Sequence, residues 1–358
     1  MKETSKKYGI LAWPAYTTKS SNPYNYLIYK NIEQNGHKII DFDFNIKNVL
    51  KYAISNDFSI FHIHWPTNIL TYSTYLQAKR RVFVFKCFLL LIKLLGKKIV
   101  WTVHNLNGHE KDHPKLQKEL NDLLYKYVDG FISLNKNGLE LIKKKANQIN
   151  RQHFAFIPHP HYIGYYPNVI NKEESRKKLN IQKDKFIFLF LGQIRKYKNL
   201  PRLIYAFNQL NLENKHLLIA GKIHEELQDQ IADLGKDKSD ISLFNEFIND
   251  TDLQIYLNAC DLVVTPYQEV FNSGSVFLNL SFNKPTLCPD RAVFRELREE
   301  VGEDLILLYD GDISADSLAK ATETIIKANN IVHFQSDNFS PEHIADRTID
   351  FYNILLND

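Results

Sequence analysis

Short, continuous apolar runs bounded by turn residues alternate along this chain with longer stretches whose apolar positions recur at helical spacing. Runs of that kind, without a polar face of their own, are what a parallel sheet covered by helices on both sides requires. The fold class is therefore α/β, in two Rossmann-like halves. In the first half, strands are expected at Tyr8–Trp13, Lys38–Asp43, Ile60–His64, Lys98–His104, Gly130–Ser133 and His153–Pro158. The stretch Ile157–Asn171 carries three prolines and one glycine with no helical period, which suits a linker. The alternation then restarts at Phe186–Leu191, followed by Leu217–Ala220, Ile241–Phe244, Leu262–Thr265, Pro285–Cys288 and Asp304–Tyr309. Pro341–Leu356 has helical spacing and a proline in its first turn, where the missing N–H costs little. The expected organisation is a first domain over 1–160, a linker over 161–172 and a second domain over 173–340. A closing helix over 341–358 packs back toward the first domain.

Size and charge narrow this only slightly. A chain of 358 residues suits two domains, each large enough to bury a core. The 45 Lys and Arg exceed the 41 Asp and Glu by too little to imply nucleic-acid binding, so no nucleic-acid partner is expected. Cys87, Cys260 and Cys288 are odd in number and lie in apolar contexts, as reduced core thiols do. The polar start, Met1–Lys7, lacks the form of a leader peptide, and a cytoplasmic location is expected.

The strongest chemical signal is FLFLGQIRKYKN, Phe188–Asn199, where an apolar strand ends at Gly192 ahead of Arg195, Lys196 and Lys198. Ligands of parallel α/β sheets sit just beyond carboxyl strand ends. Gly192 lets backbone approach a ligand closely, and Arg195 and Lys198 are suited to neutralise a diphosphate. The plain alternative is a solvated basic loop. A second signal lies in Thr265–Leu287, where a strand ends at Pro266, a loop carries Glu269, and Ser273, Gly274 and Ser275 open an apolar helix. Free N–H groups and the positive dipole end make such a start an anion site, although Ser273 serves equally well as an ordinary N-cap.

Together, the GQIRKYKN loop, the PYQE loop and the SGS helix start in a second Rossmann unit resemble the donor domain of GT-B glycosyltransferases of the bacterial surface-polysaccharide type, including group 1 and xanthan-type mannosyltransferases. The resemblance spans nearly the whole chain. It implies two parallel-sheet domains facing across a cleft, with the Arg195 and Lys198 pair on the diphosphate of a nucleotide sugar. It also implies that Glu269 contacts the transferred sugar or the ribose. The common pattern places a second glutamate eight residues after the first, where this chain has Phe277, so ribose recognition and stereochemistry stay open.

In the first half, WTVHNLNGHE, Trp101–Glu110, puts His104 and Asn105 at a strand end and His109 and Glu110 in the loop beyond. His104 then contacts sugar, or Glu110 serves as base for the acceptor hydroxyl; an ordinary strand-end histidine and an exposed loop carboxylate are the alternatives. Trp13, Tyr24, His64 and Trp65 lie at two more strand ends as an acceptor surface for sugar rings, or pack into the core. Lys79–Lys98 has basic flanks around an apolar interior too short to span a bilayer, and fits either a buried helix or contact with an anionic inner leaflet. The Asp41–Asp43 DFD triplet matches a metal-binding carboxylate pair, but the resemblance points to metal-independent chemistry, and neither metal nor other cofactor is expected. His159 and His161 more simply line a hinge or the cleft than a metal site. The expected activity is transfer of a hexose from GDP-mannose or a UDP-sugar to a carbohydrate acceptor, lipid-linked in one version, during surface polysaccharide synthesis. A silent nucleotide-sugar-binding subunit and a GT-B epimerase or phosphorylase are the competing readings.

Overall fold

All twelve strands form within two residues of the ends expected from the sequence. The computed structural model describes residues 7–71, 73–105, 113–146, 152–235, 238–328 and 333–358. The first sheet contains β1 (Gly9–Trp13), β2 (Lys38–Asp41), β3 (Ile60–Ile63), β4 (Lys98–Val103), β5 (Gly130–Ser133) and β6 (His153–Phe156), ordered β2-β1-β3-β4-β5-β6. The second contains β7 (Phe186–Leu191), β8 (Lys215–Ala220), β9 (Ile241–Phe244), β10 (Leu262–Val264), β11 (Thr286–Pro289) and β12 (Ile306–Tyr309), ordered β12-β11-β10-β7-β8-β9. Every pairing between these strands is parallel.

The central strands are buried along their whole length, as helices on both faces dictate; at the edges, β2 and β9 keep exposed or half-buried positions. The order of strand addition across the first sheet reverses between β1 and β3, and across the second between β7 and β10. Loops leaving two neighbouring strands at such a switch diverge and leave a crevice at the carboxyl ends. Both halves also share a device at the opposite edge. Asp129, just before β5, accepts the Ile99 amide of β4 at 2.8 Å and pairs with Lys93. Asp261, just before β10, accepts the Ile187 amide of β7 at 2.7 Å and pairs with Arg176 at 2.8 Å. Each carboxylate thereby satisfies a strand-start amide and draws in a cation from a neighbouring helix.

The chain divides into two compact units, residues 1–160 with 337–358, and residues 161–336. Helix Pro341–Asn357 thus belongs to the first unit. Ser340 caps it by accepting from the His343 amide, and its buried Ile344, Ile349, Tyr352 and Leu355 join the core around Ile10, Ile28 and Val100. Gly130 lets the helix sit directly on β5: a Cβ there would meet Leu355 and Phe351 at 2.7 and 2.8 Å. Removing the Phe351 ring by Phe351→Ala leaves a cavity over Gly130, with an expected cost of about 3–5 kcal/mol measured as a lowered urea midpoint.

Candidate functional site

The second unit's switch point is built from the loops that leave β7 and β10. After β7 the backbone turns at Gly192, with φ +112°, and runs beside the loop after β8. Gly192 N donates to Ala220 O at 2.9 Å, Ile194 N to Lys222 O at 2.9 Å and His224 N to Ile194 O at 3.0 Å. Gly221 is required by this approach, because a Cβ on it would lie 2.1 Å from the Gly192 carbonyl oxygen. A short turn, Lys196–Lys198, then ends at Asn199, whose left-handed φ of 54° starts helix Leu200–Gln209.

This turn folds Lys198 back over its own strand end. Its ammonium lies 3.3 Å from where a Cβ of Gly192 would stand and 5.4 Å from the Tyr267 ring centroid. Burial pulls the ammonium down to about 8, and the neighbouring Arg195 guanidinium adds to the effect. The turn is tied to the loop after β10 by Gln268 N donating to Tyr197 O at 2.9 Å. Tyr267 Oη in turn meets Ser275 Oγ at 2.9 Å, and Ser275 Oγ meets Ser273 Oγ at 3.0 Å. Ser273 therefore spends its hydroxyl on Ser275 and makes no cap hydrogen bond to helix Gly274–Ser281. Tyr267 thus links the Lys198 ammonium over Gly192 to a helix start that has no side-chain cap, and Gly192, Lys198, Tyr267, Ser275 and Ser273 form one connected patch. Arg195 is half-buried and its Nε reaches Gln193 Oε1 at 3.4 Å, while Glu269 is exposed on the loop between Tyr267 and Ser273.

In the first unit, the carboxyl edge is filled by imidazoles. His62 Nε2 meets Thr102 Oγ1 at 2.8 Å, and His62 Nδ1 meets Tyr352 Oη at 2.5 Å and Tyr29 Oη at 2.9 Å. Tyr29 Oη also meets His64 Nε2 at 2.6 Å, and His64 Nδ1 meets His104 Nε2 at 3.1 Å. Tyr24 stands edge-on to His104, with ring centroids 4.9 Å apart, and 4.8 Å from His159; Trp65 stacks on His104 at 4.4 Å. Burial keeps all four imidazoles neutral at ordinary pH. It takes His62 to about 3 and His159 to about 4, and His64 and His104, which also repel their neighbours, well below their ordinary value.

Residues 171–338 match the family of glycosyl transferases group 1, a span that contains both loops of the Lys198 patch. The second unit carries a group 1 glycosyltransferase domain. A GDP-mannose:glycolipid 4-beta-D-mannosyltransferase of Xanthomonas campestris pv. campestris is 23% identical over 75% of this chain and 72% of its own length. In fold, the chain matches sucrose-phosphate synthase of Thermosynechococcus elongatus at a TM-score of 0.71 and 13% identity, covering 98% of this chain and 100% of that one. It also matches Anabaena HepE in complex with UDP-glucose at a TM-score of 0.63 and 14% identity, covering 98% of each chain. The protein is a glycosyltransferase with the two parallel sheets of the GT-B fold.

Within this glycosyltransferase the anticipated residues fall into three groups. Gly192 with Lys198, and Ser273 with Ser275, form two pairs joined through Tyr267, with Gly274 at the helix start and Arg195 and Glu269 on the flanking loops. Tyr24, His64, Trp65 and His104 also cluster, but as a packed and hydrogen-bonded group in which Trp65 alone is more than marginally exposed. Trp13 is 5% exposed and its ring is taken up by Phe42, Phe44 and Phe85, so it serves the core of the first unit. Glu110 and His109 lie outside the described residues. Asp41 of the DFD triplet accepts the Ala15 amide at 2.7 Å, a turn-fixing role at the end of β1. His161 is buried against Phe334, and Cys260 and Cys288 are buried thiols that desolvation raises to about 11 and about 12.

Sequence reasoning missed Tyr267, Tyr29, His62 and Tyr352. The first sits inside the PYQE motif and links Lys198 to Ser275; the others are separated from their partners by up to 290 residues. The buried histidines carry a consequence for stability. Their folded values lie below the ordinary 6.5, so the unfolded chain binds more protons and stability is full only above about pH 6.5. It should fall by several kcal/mol as pH drops from 7 toward 4, read by urea unfolding at each pH, with the fall reduced in His159→Leu. A flat profile over that range would contradict the neutral cluster.

Proposed function

We propose that this glycosyltransferase holds a nucleoside diphosphate sugar at the carboxyl edge of the second sheet and transfers its hexose to a carbohydrate hydroxyl in bacterial surface polysaccharide synthesis. The observation that carries the reading is Lys198. Its ammonium is held between Gly192 and the Tyr267 ring, and the Tyr267 hydroxyl reaches a helix start whose serine does not cap it. A diphosphate set there has an ammonium on one side and the helix amides on the other, with Arg195 as a planar, permanently charged donor within the same loop. As the glycosidic bond breaks, negative charge grows on the leaving diphosphate, and cations already in place stabilise it without reorganising. In this reading those side chains supply the charge themselves, without a metal or other cofactor.

Glu269 extends from the loop between the two halves of this patch and contacts the transferred sugar. The acceptor is bound at the carboxyl edge of the first sheet, where Trp65 offers a ring face and His104 a neutral imidazole; His104 or Glu110 takes the hydroxyl proton. The name of the Xanthomonas relative supports GDP-mannose as donor and a glycolipid as acceptor, and the UDP-glucose complex of HepE supports a UDP-sugar as the second donor class. A lipid-borne acceptor places the enzyme at the cytoplasmic face of a membrane, in contact through Lys79–Lys98.

Two measurements test the donor site. A thermal-shift screen with GDP, UDP, dTDP, ADP and CMP should give a clear stabilisation with one diphosphate, because a ligand bound only to the native state must raise its stability. Arg195→Ala and Lys198→Ala should each weaken that ligand about 10- to 100-fold while leaving the unliganded melting temperature nearly unchanged. The second is the pH dependence. Lys198 is charged below its value of about 8, so diphosphate affinity should fall as pH rises from 7 through 9, and the fall should vanish in Lys198→Arg. Unchanged affinity in a folded Lys198→Ala variant would place the nucleotide elsewhere.

A further inference from the structure

Helix Tyr75–Leu94 is apolar on two opposite sides. One side is core: Val82, Phe85, Phe88, Leu89 and Ile92 are buried. The other carries Leu76, Phe83, Leu90 and Leu94, spaced by seven, seven and four residues, so they form one stripe along the helix. Leu76, Phe83 and Leu94 are 76%, 63% and 81% exposed. Single exposed apolar residues need no explanation, but an aligned row of large ones does.

The neighbouring helix, Ile46–Ala53, repeats the pattern at smaller scale. Val49, Tyr52 and Ala53 face inward, and Ile46, Leu50 and Ile54, four residues apart, face outward as a second exposed row. The two helices pack against each other within the first unit. The cations follow the same surface. Lys79, Arg80 and Lys86 border the longer row, Lys47 and Lys51 the shorter, all are exposed, and neither helix contains an acidic residue.

We propose that these two helices dock the first unit flat on a lipid bilayer whose headgroups are anionic. Bulky apolar side chains rimmed by lysine and arginine are what an interfacial helix needs, since the rows enter the acyl boundary while the cations stay among the headgroups. Among the described residues no helix is long and apolar enough to cross a membrane, and the surface binds by lying on the bilayer. A second copy of this chain is a poor occupant, because pairing the face with itself would set like charges against each other. The inference extends the lipid-borne-acceptor reading, adds helix Ile46–Ala53 to the contact, and stands or falls separately from the donor site.

The test is co-sedimentation of the full chain with vesicles of phosphatidylcholine alone or mixed with phosphatidylglycerol. The protein should pellet with the mixed vesicles, less so as salt rises, and stay in solution with the neutral ones. Phe83→Glu with Leu94→Glu, and separately Leu50→Glu, should each reduce vesicle affinity at least about tenfold, because a carboxylate is unfavourable both in the acyl boundary and beside anionic headgroups. All three positions are solvent-exposed, so the variants should melt like the parent and show the same nucleotide shift. Failure of the parent to pellet, or variants that pellet equally well, would overturn the proposal. So would a parent dimer, seen by light scattering, that Phe83→Glu with Leu94→Glu splits into monomers. A nucleotide shift that is absent while pelleting persists would instead count against the donor site alone.

Discussion

A parallel sheet covered on both faces has no polar side of its own, and this constraint governs where chemistry is found in both units. The central strands are buried along nearly their whole length, so charged and hydrogen-bonding groups gather toward the strand ends. The start of each sheet is closed by a carboxylate, Asp129 or Asp261, that satisfies a strand amide and holds a cation. At the carboxyl ends polar side chains can converge on a ligand, and the reversal of strand order between β7 and β10 opens a crevice there.

The two carboxyl edges have been filled in opposite ways. In the second unit a glycine, a folded-back lysine and an uncapped helix start leave positive charge next to backbone that lacks side chains. In the first unit, four neutral imidazoles and three phenols pack and hydrogen-bond in one cluster, with Trp65 stacked on His104. A charged edge suits a dianionic diphosphate, and a neutral one suits hydroxyl-bearing sugar, whose hydrogen bonds need both donors and acceptors from uncharged rings. The pairing of these chemistries is what a transfer between nucleotide sugar and carbohydrate calls for.

Strands and the Lys198 loop were legible in the sequence because both are local. A run such as FIFLFL reports its burial by itself, and the cations of RKYK follow the strand within a few residues. What escaped was long-range. Tyr352 reaches His62 from 290 residues away, and no pattern near either residue announces the pair. Trp13 illustrates the converse: at a strand end an aromatic side chain looks the same in sequence whether it turns toward a ligand or toward Phe42, Phe44 and Phe85. Helix Tyr75–Leu94 shows why periodicity alone misleads, since apolar residues on both sides cancel the one-sided signal that marks an ordinary surface helix.

Phe277 stands where a second carboxylate was expected from the sequence resemblance. It is 8% exposed on helix Gly274–Ser281, beside the fully buried Val276 and Leu280. A carboxylate at that position would be desolvated unless a ligand or cation met it, so the phenyl ring marks a helix face built for packing. A nucleotide held here would therefore lack a carboxylate partner for its ribose from this helix. Its sugar hydroxyls would depend on Glu269, on an exposed loop, and its binding would lean on the diphosphate contacts of Arg195, Lys198 and the helix start. That distribution predicts tight discrimination between diphosphates and monophosphates and weak discrimination between ribose and deoxyribose. Comparing GDP with GMP and with deoxy-GDP in the same thermal-shift assay measures both, and a strong preference for ribose would require a second carboxylate that Phe277 does not provide.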